Sequence, residues 1–138
     1  RYDDLKIYLF GGGKKEKEQF NIWTKRWNQC VNISETLSGL NQELSLMSKL
    51  NVMVSMDSAN MHLASLVGTP VVSIWGATHP YAGFMGWNQN ISDVVQTDIP
   101  CRPCSIYGNK PCYRGDYACL NNIQPEHIIE KIEKHLCG

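Results

Sequence analysis

Residues 52–80 read VMVSMDSANMHLASLVGTPVVSIWGATHP, and the order of residue types along this stretch decides the fold. The run 52–56, VMVSM, is a near-continuous apolar strand of the kind buried on both faces. Residues 58–68, SANMHLASLVG, form a helix that Gly68 terminates, with Pro70 just beyond. Residues 71–75, VVSIW, are a second buried strand, and a glycine-rich loop, GATHPYAGFMGWNQN, begins at Gly76.

The same alternation runs outward in both directions. Upstream, LKIYLF (5–10) has strand character and stops at Gly11-Gly12-Gly13. KKEKEQFNIWTKRWNQ (14–29) follows, with Phe20, Trp23 and Trp27 at helical spacing against a charged face. CVNIS (30–34) reads as a short strand. NQELSLMSKL (41–50) reads as a helix with Asn41 as N-cap and Leu44, Met47 and Leu50 as its stripe. Downstream, SDVVQT (92–97) is a further short strand. QPEHIIEKIEKHL (124–136) is an amphipathic helix with Pro125 at its first position and Ile128, Ile129 and Ile132 inside. Strands alternating with helices four times over predict an open, largely parallel α/β sheet with flanking helices. Such sheets bind ligands beyond the carboxyl ends of their strands. Here those places are Gly11–Lys15, Asp57–Asn60 and Gly76–Pro80, three loops expected at one sheet edge.

Composition narrows the function classes. A chain of 138 residues is enough for one domain with a real core. Its apolar fraction of 43% and charged fraction of 19% are ordinary for a globular protein. A formal net charge of zero leaves no basic face for nucleic acid. The apolar stretches are too short to span a bilayer. The opening RYDDLKIYLF has neither an initiating Met nor a secretory leader, and the chain ends on a helix with an HLCG tail. The expectation is a C-terminal piece of a longer protein. Two NIS triplets, at Asn32 and Asn90, match the N-glycosylation pattern but carry little weight without a secretory signal.

Each loop has a plain reading beside a chemical one. Asp57 and Ser58 at a helix start can cap it, or the unpaired amides there can hold an anion. His62 lies four residues after Ser58 and projects from the same helix face, which capping does not require. The glycines Gly11 and Gly12 let backbone approach phosphate or ribose closely, or simply turn the chain; no GxGxxG or P-loop is present. Cys101, Cys104, Cys112 and Cys119 follow the pattern C-x2-C-x7-C-x6-C. They can be structural thiols without metal, a zinc site or iron–sulfur ligands, or disulfides.

The 52–80 block resembles the C-terminal half of the ADP-heptose:lipopolysaccharide heptosyltransferases, glycosyltransferase family 9. That family's pattern is an apolar strand, Asp-Ser/Thr-Gly, two residues and His-Leu/Ile-Ala. Gly-x-Pro, a second apolar strand and Gly-x-Thr-x-Pro follow. The CxPC…C…C block before a final I-x-P-E helix also recurs in the family. The resemblance runs from residue 5 to 136. The glycine of the Asp-Ser-Gly pattern is Ala59 here.

What the resemblance implies is a GT-B enzyme, two Rossmann-like domains with the active site in the cleft between them. Residues 1–138 would be its single donor-nucleotide domain, with a cysteine-rich loop at 101–119. It implies that amides around Ser58 and Ala59 hold the donor diphosphate, that Asp57 meets hydroxyls of the donor sugar and that His62 faces the sugar–phosphate region. Thr78 joins this donor-binding set. Glu16, with Glu18 as its competitor, would grip the ribose, and Leu40 and Leu44 would line the adenine pocket. The implied reaction is inverting transfer of heptose from ADP-heptose to a lipid-linked glycan acceptor in lipopolysaccharide core or related surface-glycan synthesis. No cofactor is required beyond the ADP-sugar, with a structural zinc on Cys101, Cys104, Cys112 and Cys119 as an added expectation. The catalytic base and acceptor site would belong to an N-terminal domain outside this chain, so the isolated domain is expected to be inactive. The implied setting is cytoplasmic, with peripheral contact at the inner face of the bacterial inner membrane and no transmembrane segment. The alternatives are a non-catalytic nucleotide-binding module or a zinc-stabilised Rossmann-like one. An oxidoreductase-type dinucleotide domain is disfavoured because no GxGxxG is followed by an acid.

Overall fold

Three residues of the 5–10 run, Ile7–Leu9, form strand β1 in the computed structural model, which describes residue 2 and residues 4–137. Helix α1 (Lys14–Arg26) follows the glycines and ends at Trp27, whose extended backbone (φ −129°, ψ 115°) stops it short of residue 29. Of the expected aromatic stripe only Phe20 is buried; Trp23 and Trp27 are partly exposed, and the Arg26 guanidinium lies 4.7 Å from the Trp27 ring centre. Strand β2 (Cys30–Asn32) pairs in parallel with β1, Ile7 opposite Cys30. Helix α2 (Leu40–Met47) begins one residue before Asn41, so Asn41 is not its cap. Gly39 precedes the helix at φ 94°, and the Gln42 carboxamide reaches back to accept from the Ser38 amide at 2.8 Å.

The chain divides into two compact units, one ending at Ser45 and one starting at Leu46. In the second, β3 (Met53–Met56), α3 (Ala59–Leu66) and β4 (Val71–Trp75) realise the 52–80 reading closely. Strand β5 (Val94–Gln96) completes a parallel ladder of order β3-β4-β5. The short helix α4 (Ala118–Asn121) and the long helix α5 (Pro125–Leu136) end the unit. Among the described residues all strand pairing is parallel, as expected of an α/β chain, and it falls into two ladders.

Burial corrects one expectation. Central β4 is sealed, with Val72 and Trp75 at 0% exposure, and the Trp75 indole N–H donates to the Ser73 hydroxyl at 2.9 Å. β3 is not buried on both faces: Val54 is 42% and Met56 47% exposed. The face of β3 that carries Val54 and Met56 therefore stays open.

Side chains close the corners. Gln89 accepts from the Val71 amide at 2.8 Å and donates to the Thr69 carbonyl at 3.0 Å, while the Thr69 hydroxyl donates to the Met47 carbonyl at 2.6 Å. His135 on α5 lies 3.1 Å from the buried Asp93 carboxylate, and Lys131 donates to the Ser92 carbonyl. Ile129 of α5 is exposed rather than inside. Asn32 and Asn90, the two NIS asparagines, both accept from the serine amide two residues on, at 3.1 and 2.9 Å, and cap short 3-10 turns. Among the described residues no helix is long and apolar enough to cross a membrane.

Candidate functional site

β3 and β4 are parallel neighbours with Met56 opposite Ile74, so Asp57 and Gly76 leave the ladder at the same end. Two of the three expected loops therefore meet beyond strand carboxyl ends. Ser58 takes the N-cap position of α3 with extended backbone (φ −152°, ψ 171°), but no side chain caps the helix. The Ser58 hydroxyl instead lies 2.9 Å from the Ser55 hydroxyl. The plain capping reading thus holds for position and not for chemistry, and no side chain offsets the positive partial charge at the amide end of α3. Ala59, in the glycine position, is the first residue of α3 and is exposed.

Asp57 and His62 converge at this helix end, with Oδ1 and Nε2 3.9 Å apart. Burial pushes the Asp57 carboxyl above its ordinary value, and the nearby His62 pulls it the other way. A half-buried carboxylate with a shifted pKa at a strand end marks Asp57 as a candidate site residue.

Asp57 also lines a cavity of about 190 Å³ whose far wall is the cysteine-rich loop. Thr78 lines it too, but its hydroxyl is spent: it is buried and donates to the Ile106 carbonyl at 2.7 Å. The Cys104 amide donates to the Ala77 carbonyl at 3.1 Å. Arg102 completes the fastening. Its Nε donates to the Gly76 carbonyl at 2.6 Å and its Nη1 to Thr97 at 2.6 Å. Its Nη2 serves the Thr78 carbonyl at 2.9 Å and the Gln96 side chain at 3.1 Å. Burial lowers the Arg102 pKa, and nearby thiols and Asp98 oppose that; a guanidinium stays charged regardless. Gly76 is needed where this loop passes α4, because a Cβ there would sit 2.9 Å from Leu120. Sequence reasoning singled out the cysteines and missed Arg102 between them; a cation within C-x-x-C, beside loops rich in carbonyls, was its only signal.

Cys30, Cys101, Cys104, Cys112 and Cys119 are free thiols. Cys101, Cys104, Cys112 and Cys119 all line the one cavity, yet among the described residues no three His, Cys, Asp or Glu side chains converge as metal ligands. The four thiols therefore do not fit a tetrahedral zinc as they stand. Backbone amides, Tyr117's foremost, hold the Cys112 thiol below its ordinary pKa.

In the first unit, the carboxylate of Glu16 closes the glycine loop. Its Oε2 accepts from the Gly12 and Gly13 amides, both at 3.0 Å, and those amides hold its pKa below the ordinary carboxylate value, Gly13 foremost. Oε1 takes no hydrogen bond among the described residues, which leaves it open to a hydroxyl pair. Glu16 rather than Glu18 is thus the acid turned to the glycines. Gly11 is packed, since a Cβ there would meet Phe20 at 2.9 Å. Leu40 and Leu44 stand four residues apart on α2, Leu40 52% exposed and Leu44 half-buried.

The family model described as glycosyltransferase family 9 (heptosyltransferase) matches residues 2–112. The chain is 27% identical over 134 residues to lipooligosaccharide heptosyltransferase 2 of Campylobacter jejuni, covering 93% of this chain and 40% of that protein. It is 26% identical over 136 residues to the protein of the same name from Haemophilus influenzae, covering 94% of this chain and 37% of that one. The chain thus spans about two-fifths of the length of these curated relatives. No solved structure matches it.

Proposed function

The chain belongs to glycosyltransferase family 9 (heptosyltransferase), and from that premise we propose that it is the donor-binding part of an inverting transferase that takes heptose from ADP-heptose. The observation that carries this reading is the uncapped first turn of α3 with the Asp57 carboxylate beside it. Breaking the bond between sugar and diphosphate leaves negative charge on the departing phosphate. Amides fixed at a helix start stabilise that charge as it develops, without reorganising and without a divalent cation. His62, when protonated, adds a second positive group toward the same diphosphate. Asp57 accepts from hydroxyls of the sugar, the glycine loop and Glu16 hold the ribose, and Leu40 and Leu44 flank the adenine. In this reading the acceptor is a lipid-linked surface glycan, and the base that takes its proton lies outside this chain. The setting is the cytoplasm, with peripheral contact at the inner face of the membrane.

The test is thermal unfolding with ADP, UDP, GDP, CDP and NAD. A ligand at about a hundredfold its Kd adds about 2.7 kcal/mol of stability. ADP is expected to give the largest shift, and Ala59→Pro to abolish it. Proline is at home at a first helical position after an extended residue, yet it removes one of the amides in question. Equal indifference to all five nucleotides, or an ADP shift that survives Ala59→Pro undiminished, overturns the reading.

A further inference from the structure

The cysteine-rich loop is built onto the donor end of the ladder rather than hung beside it. Arg102, Thr78 and the Cys104 amide between them hold it to residues 76–78. That fastening consumes most of the polar groups around the cavity. Arg102 spends four hydrogen bonds on the fastening, and Thr78 is committed to Ile106. Arg114 is held by Asp116 through a two-pronged pair with a shortest contact of 2.8 Å. What remains on the cavity lining, besides the thiols of Cys101, Cys104, Cys112 and Cys119, is the Asp57 carboxylate, the Lys110 ammonium and the rings of Tyr107, Tyr113 and Tyr117. Lys110 is exposed and enters no ion pair among the described residues. Tyr107 and Tyr113 are 72% and 75% exposed although they line a concavity. The Phe84 ring packs against that of Tyr107, their centres 5.7 Å apart.

Size and chemistry together select the occupant. Pockets that enclose a whole small-molecule ligand run to about 300–1,000 Å³; at about 190 Å³ this one admits a single ring-sized part. One carboxylate that accepts, one ammonium that donates and flat aromatic walls suit a polyhydroxylated ring, with hydroxyls for the charges and C–H faces for the rings. A phosphate here would sit against Asp57, and an apolar group would leave both charged groups unmatched. The structure assigns Tyr107, Lys110 and Tyr113 to the sugar of the donor: the cysteine-rich loop is the wall that selects which glycosyl unit is taken. This rests on the donor reading, since it is a diphosphate at α3 that would deliver a sugar to Asp57.

Calorimetric titration of the full-length protein with ADP and with ADP-heptose separates the two. In the parent, ADP-heptose binds more tightly than ADP. Losing a hydrogen bond from a charged group should cut that preference by about tenfold or more in Lys110→Ala, with ADP affinity unchanged. Tyr113→Ala reduces the preference and Tyr113→Phe restores it, the ring rather than the phenol being what the sugar covers. Lys110 and Tyr113 are exposed, so neither change threatens folding. ADP binding with the sugar preference intact in both alanine variants overturns this inference alone. Failure of the parent to bind ADP overturns the donor reading and this inference with it.

Discussion

Asp57 meets His62 across the first turn of α3 with 3.9 Å between carboxylate and imidazole, and that pair sets the electrostatics of the helix end. Because burial raises the Asp57 pKa, the folded state prefers the protonated carboxyl. Ionised Asp57 therefore costs stability at neutral pH. That cost disappears as pH falls below the unfolded value near 3.8. Asp57→Asn is expected to unfold at a slightly higher temperature than the parent at pH 7, by no more than about 1 kcal/mol because water still reaches the group. The gap should close as pH is lowered toward 4, while the preference for ADP-heptose over ADP is lost. Melting curves at the two pH values check the first half and titration the second. A variant less stable at pH 7 contradicts the sign.

Glu16 offers one carboxylate oxygen to the glycine loop before its helix and keeps the other free. If that free oxygen grips the ribose, the parent should discriminate ADP from 2′-deoxy-ADP, and Glu16→Gln should lose about tenfold of the difference. Competition titrations give the ratio directly. Equal discrimination in the variant would move the ribose contact elsewhere. Since the two amides lower the Glu16 pKa, their stabilisation is present above the unfolded value near 4.5 and is lost as pH falls through the lower, folded one.

Ala59 occupies the position where the family pattern has glycine. Ala59→Gly should tighten ADP binding by giving the diphosphate a closer approach, and cost up to about 1 kcal/mol of helix stability. Opposite effects of Ala59→Gly and Ala59→Pro on ADP affinity, with folding intact in both, are the expected signature.

Arg102→Lys keeps a charge but cannot serve four oxygens from one planar fork. A loss of at least about 2 kcal/mol in urea unfolding is expected, because carbonyls around 76–78 lose their donor. A silent substitution would mean that water replaces the guanidinium without penalty.

His135→Ala strands the buried Asp93 carboxylate, whose partner on α5 is the His135 imidazole at 3.1 Å. The expected destabilisation is about 1–3 kcal/mol by chemical denaturation, and His135→Gln should recover part of it by donating a neutral hydrogen bond.

The stretch 52–80 was legible because apolar runs, a helical period and a glycine stop agree with one another there. The same logic placed α5 from its proline and its isoleucine spacing. It failed at β3, where hydrophobicity reports what a strand could bury and not whether a neighbour arrives to cover it. It failed again at Asn41, since a residue suited to capping marks a helix start only to within a residue or so. The NIS triplets carry the physics of asparagine turns, visible once the serine amides are placed. Arg102 was invisible for a different reason: its partners are main-chain oxygens, and the carbonyls of residues 76, 78 and 97 have no letter in the sequence. The metal question turned on spacing alone, and spacing does not say whether thiols converge.

The Gln89 carboxamide stands where a neighbouring strand would, bonding Thr69 and Val71 on either side of Pro70. With Arg102 gripping the loop at Gly76 and Thr78 and Gln89 gripping it at the far end, residues 79–88 hang between two fixed clasps. Between the clasps the segment is pinned again, by the buried Pro80, by Gly86 against Ser65 and Met61, and by the Phe84 ring on Tyr107. A change in its length is therefore felt both at α3 and at the cysteine-rich loop, the two walls of the donor end.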